Sequence, residues 1–168
     1  MGQKGGWSGM ELKVSRNERI RHLVDGYSRS LHRLAFTYLK NTQDAEDVAQ
    51  EVFLKYLKSA PEFQDVEHEK AWLIRVTINR CKNLLKSRWW RSRRPLPDDL
   101  SYLMEEESGL IQLVMALDEK YRLPIHLHYY EGYAIKEIAG ILGEKPATIG
   151  TRLARGRELL RIGGIENA

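Results

Sequence analysis

The sequence predicts an all-α protein: two small helical domains joined by a flexible acidic linker, the second domain containing a helix-turn-helix. Three observations predict this. Apolar residues recur at three- and four-residue steps along most of the chain, and no strand alternation survives counting. A purely basic stretch, Lys70–Arg94, holds nine Lys or Arg and no acidic residue, and Pro95–Gly109 then holds five acidic residues and no basic one. Near the end, a short helical pattern, a glycine turn and a second helical pattern follow in sequence. The divisions are therefore a leader over 1–16, a first domain over 17–94, the linker over 95–109, a second domain over 110–163 and a tail over 164–168.

The leader, MGQKGGWSG to Gly9, is Gly-rich and lacks the apolar segment of a signal peptide; either Met1 or Met10 can be the start. From Asn17 to Lys40 the residues Ile20, Leu23, Val24, Tyr27, Leu31, Leu34, Ala35 and Tyr38 form one helical stripe. Asn41-Thr42 breaks it and offers an N-cap. The next helix, near Gln43 to Lys58, carries Ala45, Val48, Ala49, Val52, Phe53, Tyr56 and Leu57 on one side. Asp44, Glu46 and Asp47 fall in its first turn, where carboxylates suit the helix dipole. Glu51 and Lys55 are spaced as an i,i+4 pair. Ser59–Glu67, marked by Pro61, is a loop.

The basic stretch is itself amphipathic. At about 100° per residue, Leu73, Ile74, Ile78, Cys81, Leu84 and Leu85 share one arc. Arg75, Asn79, Lys82, Asn83 and Lys86 share the other, with Trp72 at its edge. One arc packs; the other presents cations, amides and an aromatic ring, which is the chemistry of a nucleic-acid surface. Trp72 fits equally as core or as a strand contact.

After the linker, Leu110–Leu117 and Glu119–Tyr130 are helical, with Pro124 expected in a first turn, and a turn falls at Glu131-Gly132. Ile135–Leu142 is a short helix closed by Gly143, and Pro146 opens the next. Ala139 marks a close approach, and Ile149 plugs the second helix into the core. Ile149, Leu153, Gly156 and Leu160 line one side of that helix. Thr148, Thr151, Arg152 and Arg155 line the other, where Arg can pair with guanine or phosphate in a major groove.

Composition limits the alternatives. The chain has 168 residues, 42% hydrophobic and 30% charged, with a net charge of +4. That suits a soluble helical protein with its charge in blocks, acidic over Thr42–Glu67, basic over Lys70–Arg94 and acidic again over Pro95–Gly109. No apolar run approaches the roughly 20 residues of a membrane span, so the protein is expected in the cytoplasm. Cys81 is the lone cysteine, which excludes an internal disulfide and reads as a buried thiol. His126 and His128 lie about 200° apart on a helix and cannot share one ion. His22, His32 and His68 are isolated, and no HExxH, CxxC or paired-carboxylate spacing occurs. Neither a metal nor another cofactor is expected, and neither is catalysis.

Three blocks together resemble one family. LHRLAFTYLKNTQDAEDVAQEVFLKYLK (31–58), AWLIRVTINRCKNLLKS (71–87) and LDEKYRLPIHLHYYEGYAIKEIAGILGEKPATIGTRLARGRELL (117–160) stand in the order of the conserved regions of bacterial extracytoplasmic-function (ECF) sigma factors of RNA polymerase. The resemblance implies a dissociable, non-enzymatic subunit that binds core polymerase, selects promoters and helps melt them. It implies that Asp44, Asp47, Gln50 and Glu51 dock on the β′ coiled coil, with further contact to the β subunit. It places Trp72, Arg75, Asn79, Asn83 and Lys86 on the exposed strand of the −10 element, with Phe63 as a wall of the base-capturing pocket. It places Thr148, Thr151, Arg152 and Arg155 on the −35 duplex. An anti-sigma factor, often membrane-anchored, is implied as a regulator. Gly150 departs from the larger, often basic residue usual in the family, Gly156 replaces the usual Ala, and Trp89-Trp90 exceed the motif. The alternative is a free-standing helix-turn-helix regulator, which would need neither the acidic helix nor the Asn- and Trp-bearing one.

Overall fold

The computed structural model of the chain describes residues 16–59, 61–92 and 109–166. The leader up to residue 15, most of the linker and residues 167–168 lie outside the described residues, as do the side chains of Trp89 and Trp90. Every described element is helical. In order these are α1 (Arg16–Leu39), α2 (Thr42–Ser59), α3 (Val66–Ser92), α4 (Gly109–Ala116), α5 (Glu119–Ile125), a π-helical turn (His126–Tyr130), α6 (Ile135–Leu142) and α7 (Pro146–Glu166). The first three pack on one another, α4 to α7 form a second group, and α5 and α6 touch the first group through α1 and α3.

The α1 stripe buries Leu23, Tyr27, Leu31, Leu34, Ala35 and Tyr38 as expected, but Ile20 and Val24 stay 36% and 43% exposed. The stripe is thus left uncovered at Ile20 and Val24, while Leu23 between them is fully buried. At the other end Lys40 has φ 54°, and its N–H donates to the Phe36 carbonyl at 2.8 Å. This left-handed closure is costly for a residue with a Cβ. Asn41 then caps α2, its Oδ1 accepting the Asp44 N–H at 2.9 Å. Helix α3 starts four residues before Lys70, because Asp65 Oδ1 accepts the His68 N–H at 2.7 Å and caps the new helix.

Two expectations in the second half are corrected. Pro124 lies in the second turn of α5, since the helix starts at Glu119. Proline has no N–H for the preceding turn, and the backbone widens into the π-helical turn directly after Ile125. The tail expected from 164 is helical as far as Glu166, because α7 runs straight through Gly163-Gly164. The helix-turn-helix itself keeps its expected bounds. Gly143 closes α6 with φ 67°, and Ile138, Ala139, Ile149 and Leu153 are buried between α6 and α7 and their neighbours. The Ala134 N–H is satisfied by Glu137 at 2.7 Å, fixing the first turn of α6.

Candidate nucleic-acid interface

Helix α3 carries its two arcs as the periodicity implied. Leu73, Ile74, Ile78 and Cys81 are buried, and Leu84 and Leu85 pack partly against the core. Arg75, Asn79, Asn83 and Lys86 are exposed, and Lys82 is half-buried. Burial, followed by the nearby Glu119 carboxylate, pushes the Cys81 thiol up to about 12, which is an inert thiol.

Trp72 belongs to both settings. It is half-buried, packs against the core, and meets two other rings edge-on, Tyr56 and Phe63, each with centroids 5.9 Å away. Phe63 in turn stacks on Tyr56 at 5.9 Å and meets His68 at 5.4 Å. The loop before α3 therefore contributes an aromatic wall beside the polar arc, and flat rings of this kind can stack unpaired bases.

What holds this arrangement is a buried carboxylate that the periodicity did not reveal. Glu69 accepts hydrogen bonds from the Tyr27 hydroxyl at 2.6 Å and the Tyr56 hydroxyl at 2.5 Å, one from α1 and one from α2. His22 lies 3.4 Å away. Burial pushes the Glu69 carboxyl up, but these hydrogen bonds outweigh it and hold its pKa below the ordinary value. The phenols shift the opposite way, raised first by burial and then by the Glu69 carboxylate. Glu69 thereby ties the first turn of α3 to both neighbouring helices.

On α2, Asp47, Gln50 and Glu51 are exposed, but Asp44 is only 5% accessible. Its expected place on the outward acidic face is therefore corrected. Asp44 is the third residue of the helix, where its N–H is held by the Asn41 cap and its side chain is buried. Glu51 is ion-paired with Arg80 of α3 across the surface, rather than confined to the i,i+4 spacing with Lys55. The acidic and basic faces thus adjoin.

On α7, Thr151 and Arg155 are exposed while Thr148 and Arg152 are half-buried. Arg152 pairs with Glu144 at 3.2 Å, and the Thr151 hydroxyl donates to the Ala147 carbonyl at 3.0 Å. Both are satisfied within the helix-turn-helix and can exchange those partners for a ligand. A Cβ at Gly150 would meet nothing within 4 Å, so packing does not require glycine there. At Gly156 a Cβ would sit 3.1 Å from Ile125 Cγ1, which makes this glycine the crossing point of α5 and α7.

The remaining polar residues of note lie between the two helix groups. Arg122 Nε donates to the Thr37 carbonyl at 2.6 Å, and its Nη1 to the Leu117 carbonyl at 2.7 Å. Ser30 donates to Glu131 at 2.7 Å, Lys70 approaches the same carboxylate at 3.3 Å, and His126 lies 3.6 Å from it. Burial pushes the Glu131 carboxyl up, but contacts with His126, Ser30 and Lys70 outweigh it and lower its pKa to about 2. His128 is occupied by the Tyr133 carbonyl at 2.7 Å.

Two conserved-domain families match the chain: Sigma-70 region 2 over residues 23–91, and Sigma-70, region 4 over residues 109–160. The RNA polymerase sigma factor SigV of Bacillus subtilis is 32% identical over 160 residues, covering 91% of this chain and 95% of SigV. The ECF RNA polymerase sigma factor SigW of the same organism is 26% identical, covering 90% of this chain and 91% of SigW. The fold is similar to the sigma factor RpoE of Bartonella quintana, solved with the anti-sigma factor NepR. That match has a TM-score of 0.69 and 20% identity, covering 84% of this chain and 94% of RpoE. CnrH, solved with the cytosolic domain of CnrY, gives a TM-score of 0.65 and 22% identity, covering 92% of each chain. With both sigma-70 regions present in order on an all-helical fold, the chain belongs to the sigma-70 family of RNA polymerase sigma factors, in its extracytoplasmic-function group.

Proposed function

We propose that this sigma factor opens promoters by dividing the work between α3 and α7. The observation that carries the reading is α3, whose buried arc fixes it while its exposed arc presents cations and amides beside an aromatic wall. Arg75 and Lys86 hold the backbone of the separated −10 strand. Asn79 and Asn83 take base edges, and Trp72 with Phe63 stacks an unpaired base. Thr148, Thr151, Arg152 and Arg155 of α7 read the −35 duplex from the major groove. Asp47, Gln50 and Glu51 dock α2 on the basic coiled coil of core polymerase, where charge steers encounter more than it sets affinity.

The role is that of an initiation factor, and no residue is assigned a catalytic task. The partners are core polymerase, promoter DNA and an anti-sigma factor, the last supported by the complex in which RpoE was solved with the anti-sigma factor NepR. No helix among the described residues is long and apolar enough to cross a membrane. A cytoplasmic location, at the membrane only through an anti-sigma factor, fits that. The test is reconstitution: the purified chain with core polymerase must be retained together on an affinity column and must open promoter DNA. Failure to bind core would sink the assignment of the α2 face, and core binding without opening would sink that of α3.

A further inference from the structure

The exposed arc of α3 is wider than the residues Arg75, Asn79, Asn83 and Lys86 that define it. With Arg75 set at 0° and a turn of about 100° per residue, Lys86, Asn79 and Asn83 follow at about 20°, 40° and 80°, and Arg80 at about 140°. All five are exposed. Nearer the start of the helix this flank is covered. Val76, at about 100°, is buried, and Tyr56 of α2 meets the Trp72 ring. Arg80 is therefore the first exposed side chain on the side of the arc that borders α2.

Its guanidinium is ion-paired with Glu51, a residue of the exposed acidic face of α2. The two side chains are 46% and 47% exposed, so the pair stands in water rather than in the core. Pairs of this kind are weak and exchange partners readily. Glu51 can leave Arg80 for a cation on a docked partner. Arg80 can leave Glu51 for a phosphate, whose oxygens suit the guanidinium fork as well as a carboxylate does. While Glu51 stays beside Arg80, its charge also repels a nucleic-acid backbone at that place.

We propose that Arg80 is a further phosphate-binding residue of α3, and that Glu51 masks it until the α2 face is occupied. The ligand is the backbone of single-stranded DNA lying along the arc and continuing past Asn83 toward α2. When a basic partner takes Glu51, Arg80 is released to the strand, so docking on α2 and strand binding on α3 strengthen each other. By linkage the effect is reciprocal, and because one exposed pair is exchanged the factor is small, about threefold. The identity of the docked partner rests on the polymerase-docking reading of α2; the assignment of Arg80 does not.

A double-mutant cycle on the full chain tests this, with a short fluorescein-labelled, mixed-sequence single-stranded oligonucleotide as probe, read by anisotropy at rising salt. Glu51→Gln should bind the probe about threefold tighter than wild type. Arg80→Gln should weaken binding about threefold in the Glu51→Gln background, where the cation is unmasked, and less than about 1.5-fold in the wild-type background. Removing Arg80 from the Glu51→Gln chain should also reduce the salt slope by about 0.7, the share of one phosphate contact on a single strand. If Glu51→Gln gains the same affinity with and without Arg80, the gain is general charge repulsion and the proposal is overturned. No effect of Arg80→Gln in either background overturns it as well. Both positions are about half exposed, so the variants should keep wild-type helicity; Glu51→Ala takes the place of Glu51→Gln in the cycle if that variant does not. Bound to core polymerase, the chain should lose about threefold in probe affinity on Arg80→Gln, and a loss no larger than in the free chain would overturn the masking. Failure of core polymerase to retain the chain counts against the docking reading of α2, while the free-chain cycle still decides the role of Arg80.

Discussion

Helices α3 and α7 both face outward with cations and both bury an apolar arc, yet α3 adds a buried polar tie at its base. Helix α3 is tied by polar chemistry: Glu69 holds two tyrosine hydroxyls from different helices, and Arg80 pairs with Glu51 of α2. Helix α7 is seated by shape, with Ile149 and Leu153 fully buried and Gly156 letting α5 approach to van der Waals contact. Directional hydrogen bonds at the base of α3 fix its rotation, as is needed where amides and rings must meet individual bases. Apolar seating suffices for α7, because a groove of regular duplex accepts a rigid helix carrying a few long side chains.

Breaking each anchor should separate the two helices experimentally. Glu69→Ala leaves the buried Tyr27 and the partly buried Tyr56 hydroxyls without their acceptor and should lower stability by about 3 kcal/mol, read from urea unfolding, with core binding lost in parallel. Gly156→Val should cost about 1–3 kcal/mol by forcing α5 and α7 apart, weakening −35 duplex binding while core retention stays at wild-type level. Arg155→Ala should weaken the −35 duplex by about 1–3 kcal/mol without changing stability; unchanged duplex affinity at moderate salt would remove it from the interface. Asn79→Ala should reduce promoter opening by about 1 kcal/mol and leave core binding intact. Equal loss of both would make Asn79 a structural residue.

The smallest expected effect is on pH dependence. Because the Glu69 carboxyl is held below its ordinary value of 4.5, it contributes stability above that pH and loses it as pH falls toward the folded value. Wild type should therefore lose more thermal stability than Glu69→Gln between neutral pH and pH values below about 4.5. Parallel curves for the two proteins would mean that the tyrosines do not favour the charged form.

The sequence was most legible where one helix decides its own face. The apolar arc of α3, the α6–Gly143–α7 turn and the exposed Thr151 and Arg155 all follow from local periodicity and turn chemistry. It was less legible where a cap or a proline shifts the register. Asp44 is buried in the turn that Asn41 caps, Asp65 starts α3 before its basic run, and Pro124 lies a turn deeper than expected. It was silent on partners distant along the chain. Glu69 meets Tyr27 across 42 residues and Glu131 meets Ser30 across 101, and nothing local marks either carboxylate as buried. Those two residues organise the anchor of α3 and the joint between the units, so the missed interactions are the ones that set geometry.

The guanidinium of Arg122 has a consequence for modularity. Helix α1 has no basic residue in its last turn, and its Thr37 carbonyl is served instead by a side chain from the other unit. A helix end finished in this way is not self-sufficient. An amino-terminal fragment cut before Gly109 would carry that carbonyl without its donor. A chimera with a foreign carboxy-terminal unit would inherit the same vacancy unless the incoming segment brought an equivalent cation to Thr37. The boundary at which these two regions can be exchanged is therefore set by the last turn of α1 as much as by the sequence that joins them.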